Sequence, residues 1–218
     1  MKAYYQDKHA TIYHGDCRVI LPTLGPVDAI VTDPPYGIGE AAGKNSSRVN
    51  AAAPKDYGND AWDDKPPPAW VFGMIQEYSR YQIIFGGNYF ALPRSSCWLV
   101  WDKDNTGDFA DCELAWTNLK KAVRLLKYRW NGMLQEPGRP KEFREHPTQK
   151  PVQVMTWALS HLPAPAQTIC DPFMGSGTTL RAAKDLGLKS IGIETEEKYC
   201  EVAAKRLAQE VLNFGEVA

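Results

Sequence analysis

The sequence predicts one α/β domain built as three layers, with a mostly parallel sheet between helices. At 218 residues the chain suits a single domain with a sizeable core and is short for two. Short β-rich runs alternate with helical stretches, most plainly in the last third, and such alternation packs a parallel sheet under helices on both faces. Two early β-rich runs, 11–14 and 27–32, each end at an acidic residue, Asp16 or Asp33, with a short helix around 18–21 between them.

From 37 to 61 the sequence loses periodicity and fills with Gly, Ala, Asn, Ser and Lys. Unpatterned loops of that length are commonly functional, so a mobile active-site loop is expected there. A helix over 68–80 leads to a strand over 82–85 and the turn Gly86-Gly87-Asn88, and 97–101 reads as another apolar strand. Residues 122–130 read as a strand with basic residues interleaved, followed by a Pro- and Gly-containing loop over 135–147. The last third gives a helix over 152–161, a strand over 167–170, a glycine turn, a helix over 178–186, a strand over 190–193 and a helix over 196–212.

Composition narrows the function classes. Hydrophobic residues make up 44% and charged residues 23%, ordinary globular usage with no run able to span a bilayer. The first residues, Met1 to Lys8, lack the apolar core of a signal peptide, so a cytoplasmic location is expected. Cys17, Cys97, Cys112, Cys170 and Cys200 are scattered without a Cys-x-x-Cys pair, which supports neither a disulfide framework nor a zinc site. The net charge of −1 conceals a basic segment: residues 119–150 hold nine Lys or Arg against three Asp or Glu. Such a segment is either a solvated surface or an anion-binding face suited to phosphates.

Two motifs carry chemistry. Asp171-Pro172-Phe173-Met174-Gly175-Ser176-Gly177-Thr178-Thr179 follows a strand and opens a helix, so its glycines let backbone approach a ligand at the helix N-terminus. Glu194 closes the next strand, where a carboxylate can accept hydrogen bonds from both hydroxyls of a ribose, which implies an adenosyl ligand. A dinucleotide fingerprint would need glycine where Leu180 stands, and a phosphate-binding loop would need lysine where Thr178 stands. The second motif is Asp33-Pro34-Pro35-Tyr36. An amino group on a nucleobase is a poor nucleophile because its lone pair is delocalised into the ring. Asp33 and the Pro34 carbonyl can hold its N–H groups, Pro34-Pro35 stiffens the turn without adding donors, and Tyr36 can stack. Against this, Pro and Asp favour turns, and the four residues taken alone could be only a rigid surface turn.

Together with His146-Pro147-Thr148-Gln149-Lys150-Pro151, the two motifs resemble the β-class amino-group DNA methyltransferases, down to the circularly permuted order in which the catalytic motif precedes the glycine motif. The resemblance implies a Rossmann-like, S-adenosylmethionine-dependent methyltransferase fold, DNA as partner, and direct methyl transfer without a metal. It implies cofactor contacts from Asp33, from Asp171, Pro172, Phe173, Gly175, Ser176, Gly177, Thr178 and Glu194, from the Asp16-Cys17 element near the adenine, and from Thr148, Gln149 and Lys150 near the methionine end. Asp before Pro-Pro-Tyr favours N6 of adenine over N4 of cytosine, and C5 chemistry lacks its Pro-Cys pair.

The target base must leave the duplex, with Tyr36 as stacking candidate and Trp62 as a residue of either pocket or core. Lys120, Lys121, Arg124, Lys127, Arg129, Arg139, Lys141 and Arg144 are candidate phosphate contacts. The recognition interval, about 104–145, is short for the family. That implies a very short or relaxed target, as in small phage-encoded or orphan methylases. A homodimer is suggested by family analogy alone. The competing readings are a catalytically silent cofactor-binding module and a methyltransferase acting on RNA or on protein glutamine.

Overall fold

A computed structural model describes residues 2–38, 65–105, 110–131, 134–138, 142, 145, 149–164 and 166–209. In chain order the elements are β1 (Tyr5–Gln6), β2 (Ala10–His14), α1 (Cys17–Leu24), β3 (Val27–Thr32), α2 (Ala69–Glu77), β4 (Ser79–Phe85), β5 (Trp98–Asp102), β6 (Cys112–Thr117), β7 (Arg124–Lys127), β8 (Trp130–Asn131), β9 (Leu134–Gln135), α3 (Val152–Ser160), β10 (Thr168–Asp171), α4 (Thr178–Asp185), β11 (Lys189–Glu194) and α5 (Glu197–Ala208). A nine-stranded sheet runs in the order β1-β2-β11-β10-β3-β4-β6-β5-β7, and β8 and β9 form a separate antiparallel pair.

The parallel centre follows from the strand sequences. In β3, Val-Asp-Ala-Ile-Val-Thr, every residue but Asp28 is buried, as a strand covered on both faces requires. Asp28 is tolerated because its carboxylate accepts the backbone N–H groups of Gln167 and Thr168, each at 2.9 Å, which ties β3 to the start of β10. Ala29, Val31, Ile83, Phe85 and Ile169 pack with α3 and α4 on one face of the sheet. Ile30, Ile84 and Cys170 pack with α1 and α2 on the other. Leu180 of α4 and Cys200, Ala203 and Leu207 of α5 cover Ala10 and Ile12 of β2. The three layers are therefore α1 and α2, the sheet, and α3 to α5.

From the centre, β3-α2-β4 steps towards one edge and β10-α4-β11 towards the other. The strand order reverses between β10 and β3, and a crevice opens at the carboxyl ends of strands at such a point. Thr32 and Asp171, the last residues of these adjacent strands, bring both chemical motifs to it.

Beyond the two-residue strands β1 and β9, the observed elements differ from expectation in three places that bear on the site. Strand β6, unexpected, inserts antiparallel between β4 and β5. Helix α2 stops at Glu77 and β4 begins at Ser79, because the buried Ser79 hydroxyl turns back to the Ile75 carbonyl at 2.6 Å and closes the helix. The basic run expected as one strand over 122–130 divides into β7 and β8, with the Tyr128 carbonyl turned inward to accept the Trp101 indole N–H at 2.9 Å. Most of the loop expected at 37–61 lies outside the described residues.

Candidate functional site

The glycine turn is braced from beneath. Asp171 accepts hydrogen bonds from the Thr32 hydroxyl (2.7 Å), the Thr179 hydroxyl (2.5 Å) and the Phe173 N–H (3.1 Å). Burial pushes its carboxyl up to about 6 despite these donors. It joins the ends of β3 and β10 to the first turn of α4. Gly177 takes φ +78°, and a Cβ there would lie 2.7 Å from the Ala203 Cβ. The close approach of turn to α5 therefore requires glycine. Pro172, Ser176 and Thr178 are buried, and Phe173 and Gly175 are partly open.

Glu194, at the end of β11, accepts the N–H of Gly175 and of Glu196, each at 2.9 Å, and burial raises its carboxyl. Register places His14 opposite Glu194, and the Gly15 N–H donates to the Glu194 carbonyl at 2.8 Å, so the Asp16 element does lie beside Glu194. The Asp16 carboxylate itself caps α1 through the Arg18 N–H at 2.8 Å and grips the Arg18 guanidinium, which holds it below the usual range. The Cys17 thiol packs in the core, and burial pushes it up to about 11.

Across the crevice, Asp33 follows β3. Tyr36 donates its hydroxyl to Asp33 Oδ1 at 2.6 Å, and Lys150 Nζ lies 2.6 Å from Oδ2. Pro34 is buried and Pro35 partly so. The Tyr36 ring stacks on Tyr89 at 5.0 Å and 17°. Gly86, at φ +66°, lies so close that a Cβ would come within 2.1 Å of the ring. Tyr36 is thus walled in by Tyr89, which is itself 49% exposed. A cavity of about 50 Å³ separates the two motifs, bounded by Asp33, Lys150, Asp171, Phe173, Gly175 and Ser176 among others.

The segment before α3 divides its work. Gln149 reaches the glycine turn, accepting the Ser176 hydroxyl at 3.2 Å. Lys150 instead turns to Asp33 and lies 2.9 Å from Glu113 of β6. The sequence offered no sign of Glu113, because β6 was not recognised as a strand. Nor did it single out Lys103, whose Nζ sits 2.5 Å from the other Glu113 oxygen, or Arg206 of α5, which donates to the Thr178 hydroxyl at 2.7 Å. Thr32 could have been found: it is a polar residue closing an apolar strand directly before Asp33.

Among the described residues, the candidate basic side chains divide between two ends of the sheet. Lys120 and Lys121 follow the end of β6 remote from Glu113, and Arg124 starts β7 at that same end. The two ends of the six-residue β6 lie roughly 17 Å apart and those of the four-residue β7 roughly 10 Å. Lys120 borders an open groove of about 460 Å³ shared with Arg80 and Arg94, and Lys121 Nζ donates to the His161 carbonyl. Lys127 and Arg129 lie at the end of the sheet that carries Asp33, both paired with Asp104 at 2.8 and 2.5 Å. Trp62, Arg139, Lys141, Arg144 and Thr148 lie outside the described residues. Among the described residues no group of three or more His, Cys, Asp or Glu is placed to hold a metal ion, and no helix is long and apolar enough to cross a membrane.

A glycine turn and an Asp-Pro-Pro-Tyr turn on adjacent strand ends, facing each other across the reversal of a mostly parallel sheet, define the class of Rossmann-like methyltransferases. Comparison with known proteins gives the family. The chain belongs to the DNA methylase family of N6 and N4 amino-methyltransferases, whose model matches residues 88–205, and its permuted motif order places it in the β class.

It is 27% identical over 251 aligned positions to the Type II methyltransferase M2.LlaDCHI of Lactococcus lactis subsp. cremoris, covering 94% of this chain and 92% of that one. It is 27% identical to M2.DpnII of Streptococcus pneumoniae, covering 96% and 93%. Both alignments are longer than this chain, so the relatives carry internal stretches that it lacks. The solved structure of the M1.HpyAVI–SAM complex is 27% identical with a TM-score of 0.56, covering 90% of this chain and 99% of that one. PvuII DNA methyltransferase, described as cytosine-N4-specific, is 14% identical with a TM-score of 0.61 over 97% and 90% and shares the fold.

Proposed function

We propose that the chain transfers the methyl group of S-adenosylmethionine to N6 of adenine in DNA, with Asp33 to Tyr36 as the catalytic turn. The observation that carries this is the juxtaposition of the Asp33 carboxylate with the glycine turn, through the Thr32–Asp171 hydrogen bond and across a cavity of about 50 Å³. That volume suits the reacting end of the cofactor, and its adenosyl part has the open strand ends beside Glu194.

The donor set fits such a cofactor. Glu194 is a half-buried carboxylate at a strand end next to a glycine turn, and Gly175 and Gly177 keep side chains out of the approach. Residues 171–178, Gln149, Glu194 and the Asp16 element would hold it, and when bound it supplies a methyl group on a sulfonium. The protein does the rest by holding the acceptor. Asp33 and the Pro34 carbonyl accept the two N–H bonds of the target amino group and so direct its lone pair. The Tyr36 hydroxyl, raised well above its usual range by burial and by Asp33, stays protonated and fixes the carboxylate. Burial raises the Asp33 carboxyl too, so it can take up the proton that the methylated nitrogen sheds. The Tyr36–Tyr89 pair offers an aromatic wall to the extruded base.

The fold does not choose the base, since the PvuII enzyme shares it. The choice of adenine rests on Asp33 heading the turn. DNA contact is assigned to Lys127 and Arg129, at the catalytic end, with Arg139, Lys141, Arg144 and Trp62 as further candidates. The short recognition interval, about 104–145, supports a short or relaxed target. To test the substrate class, labelled S-adenosylmethionine is offered with unmodified DNA, RNA or protein. Label should enter DNA, and label confined to RNA or protein would contradict the reading.

A further inference from the structure

We infer that Lys150 and Glu113 are positioning residues for methyl transfer: Lys150 holds the Asp33 carboxylate ionised and oriented, and Glu113 acts on Asp33 through Lys150. The inference rests on the proposed role of Asp33.

Lys150 has three N–H donors, and its Nζ has three partners: Asp33 Oδ2 at 2.6 Å, Glu113 Oε2 at 2.9 Å and the Tyr36 hydroxyl at 3.3 Å. The Asp33 and Tyr36 contacts are hydrogen bonds and the Glu113 contact is an ion pair, so the ammonium is drawn to Asp33 while still bordering the cavity beside the glycine turn. The side chain is 6% exposed, and its ammonium lies 5.5 and 5.6 Å from the Tyr36 and Phe85 ring centres. Glu113 is spanned in turn by Lys150 and Lys103. A line of alternating charge, Lys103-Glu113-Lys150-Asp33, therefore runs from the end of β5 through β6 and the segment before α3 to the catalytic turn.

A buried ion pair adds little net stability, yet removing one partner is costly, so a row of four charges ending on the catalytic carboxylate calls for another purpose. Asp33 has one oxygen on Tyr36 and one on Lys150. A carboxylate has about four lone-pair sites, which leaves room for an incoming N–H. The ionised form of Asp33 accepts that N–H more strongly than the protonated form, and only the ionised form can take up a proton. Burial and the negative charge of Glu113 push its carboxyl up, Lys150 opposes them, Tyr36 donates to it, and Asp171 faces it from β10. Glu113, held at about 2 because Lys150 and Lys103 outweigh its burial, stays charged and keeps Lys150 in place.

The test measures pH profiles of transfer to unmodified DNA, with cofactor Kd by calorimetry. For Lys150→Met, the acidic limb of kcat/KM should move to higher pH and kcat should fall by about tenfold or more, with cofactor Kd within about twofold of wild type. Lys150→Arg should keep the wild-type limb. Glu113→Gln should lower kcat in the native background and add nothing on top of Lys150→Met, the non-additivity expected of one connected unit. An unmoved limb, or a loss that appears in cofactor Kd instead, would overturn the inference. If Lys150→Met shows no melting transition, Glu113→Gln alone decides, and an unchanged kcat overturns it. A wild-type chain that leaves DNA unmethylated would instead overturn the functional reading, and this inference with it.

Discussion

Asp33 makes its contacts through both carboxylate oxygens, and each contact has a consequence in solution. Asp33→Ala should lower transfer by at least about 100-fold, the scale of losing a preorganised electrostatic contact, while calorimetry still detects cofactor binding. Because burial raises its carboxyl above the ordinary value of 3.8, and the ionised form is the stronger acceptor, kcat/KM should fall with decreasing pH at a midpoint above that value. A midpoint at or below it would contradict the burial argument. Glu194→Gln keeps the shape but removes the charge that, in the proposed reading, receives ribose hydroxyls. It should weaken cofactor Kd by roughly tenfold, the scale of one charge-assisted hydrogen bond, while kcat at saturating cofactor changes little.

At the scale of elements, the catalytic wall depends on the turn after β4. Gly86 combines φ +66° with contact against Tyr36, and a Cβ on Gly87 would meet the Trp116 Cβ at 2.4 Å. Gly86→Ala should displace Tyr36 from Asp33 and lower kcat by about tenfold or more, with a cooperative melt still present. The turn was legible as Gly-Gly-Asn, but its partner was not. β6 has the sequence Cys-Glu-Leu-Ala-Trp-Thr, with a charged residue second, and it enters the sheet only by antiparallel pairing with strands that lie before it in sequence. Nothing in its own pattern announces that pairing. The last third was legible because its strands and helices alternate with caps and turns in place. For the same reason Asp33 and the glycine turn were found from sequence, while Glu113 and the contact of Lys150 with Asp33 were not: the cluster joins residues far apart in the chain.

Across the whole molecule, the reversal of strand order between β10 and β3 is what makes two distant motifs one site, and its β-α alternation could be read from the sequence. The distribution of basic charge could not. A contiguous run of cations is divided by β7, a short strand that carries Arg124 to one end of the sheet and Lys127 to the other. Acid stability should show the clamp that closes the sheet edge at Asp7. Burial pushes this carboxyl up, but Lys184 and two backbone N–H groups outweigh it and hold it at about 2. Its contribution is therefore full above the ordinary value of 3.8 and is lost as pH falls towards 2. The melting-temperature gap between wild type and Asp7→Asn should be widest near neutrality and close over that window.

The central claim, amino-methylation of adenine at Asp33, is tested most directly by incubating unmodified DNA with S-adenosylmethionine and either wild type or Asp33→Ala, then digesting to nucleosides and identifying the methylated product by mass. N6-methyladenine from the wild type and none from the variant is the expected result. N4-methylcytosine in its place, or undiminished methylation by the variant, would contradict the account.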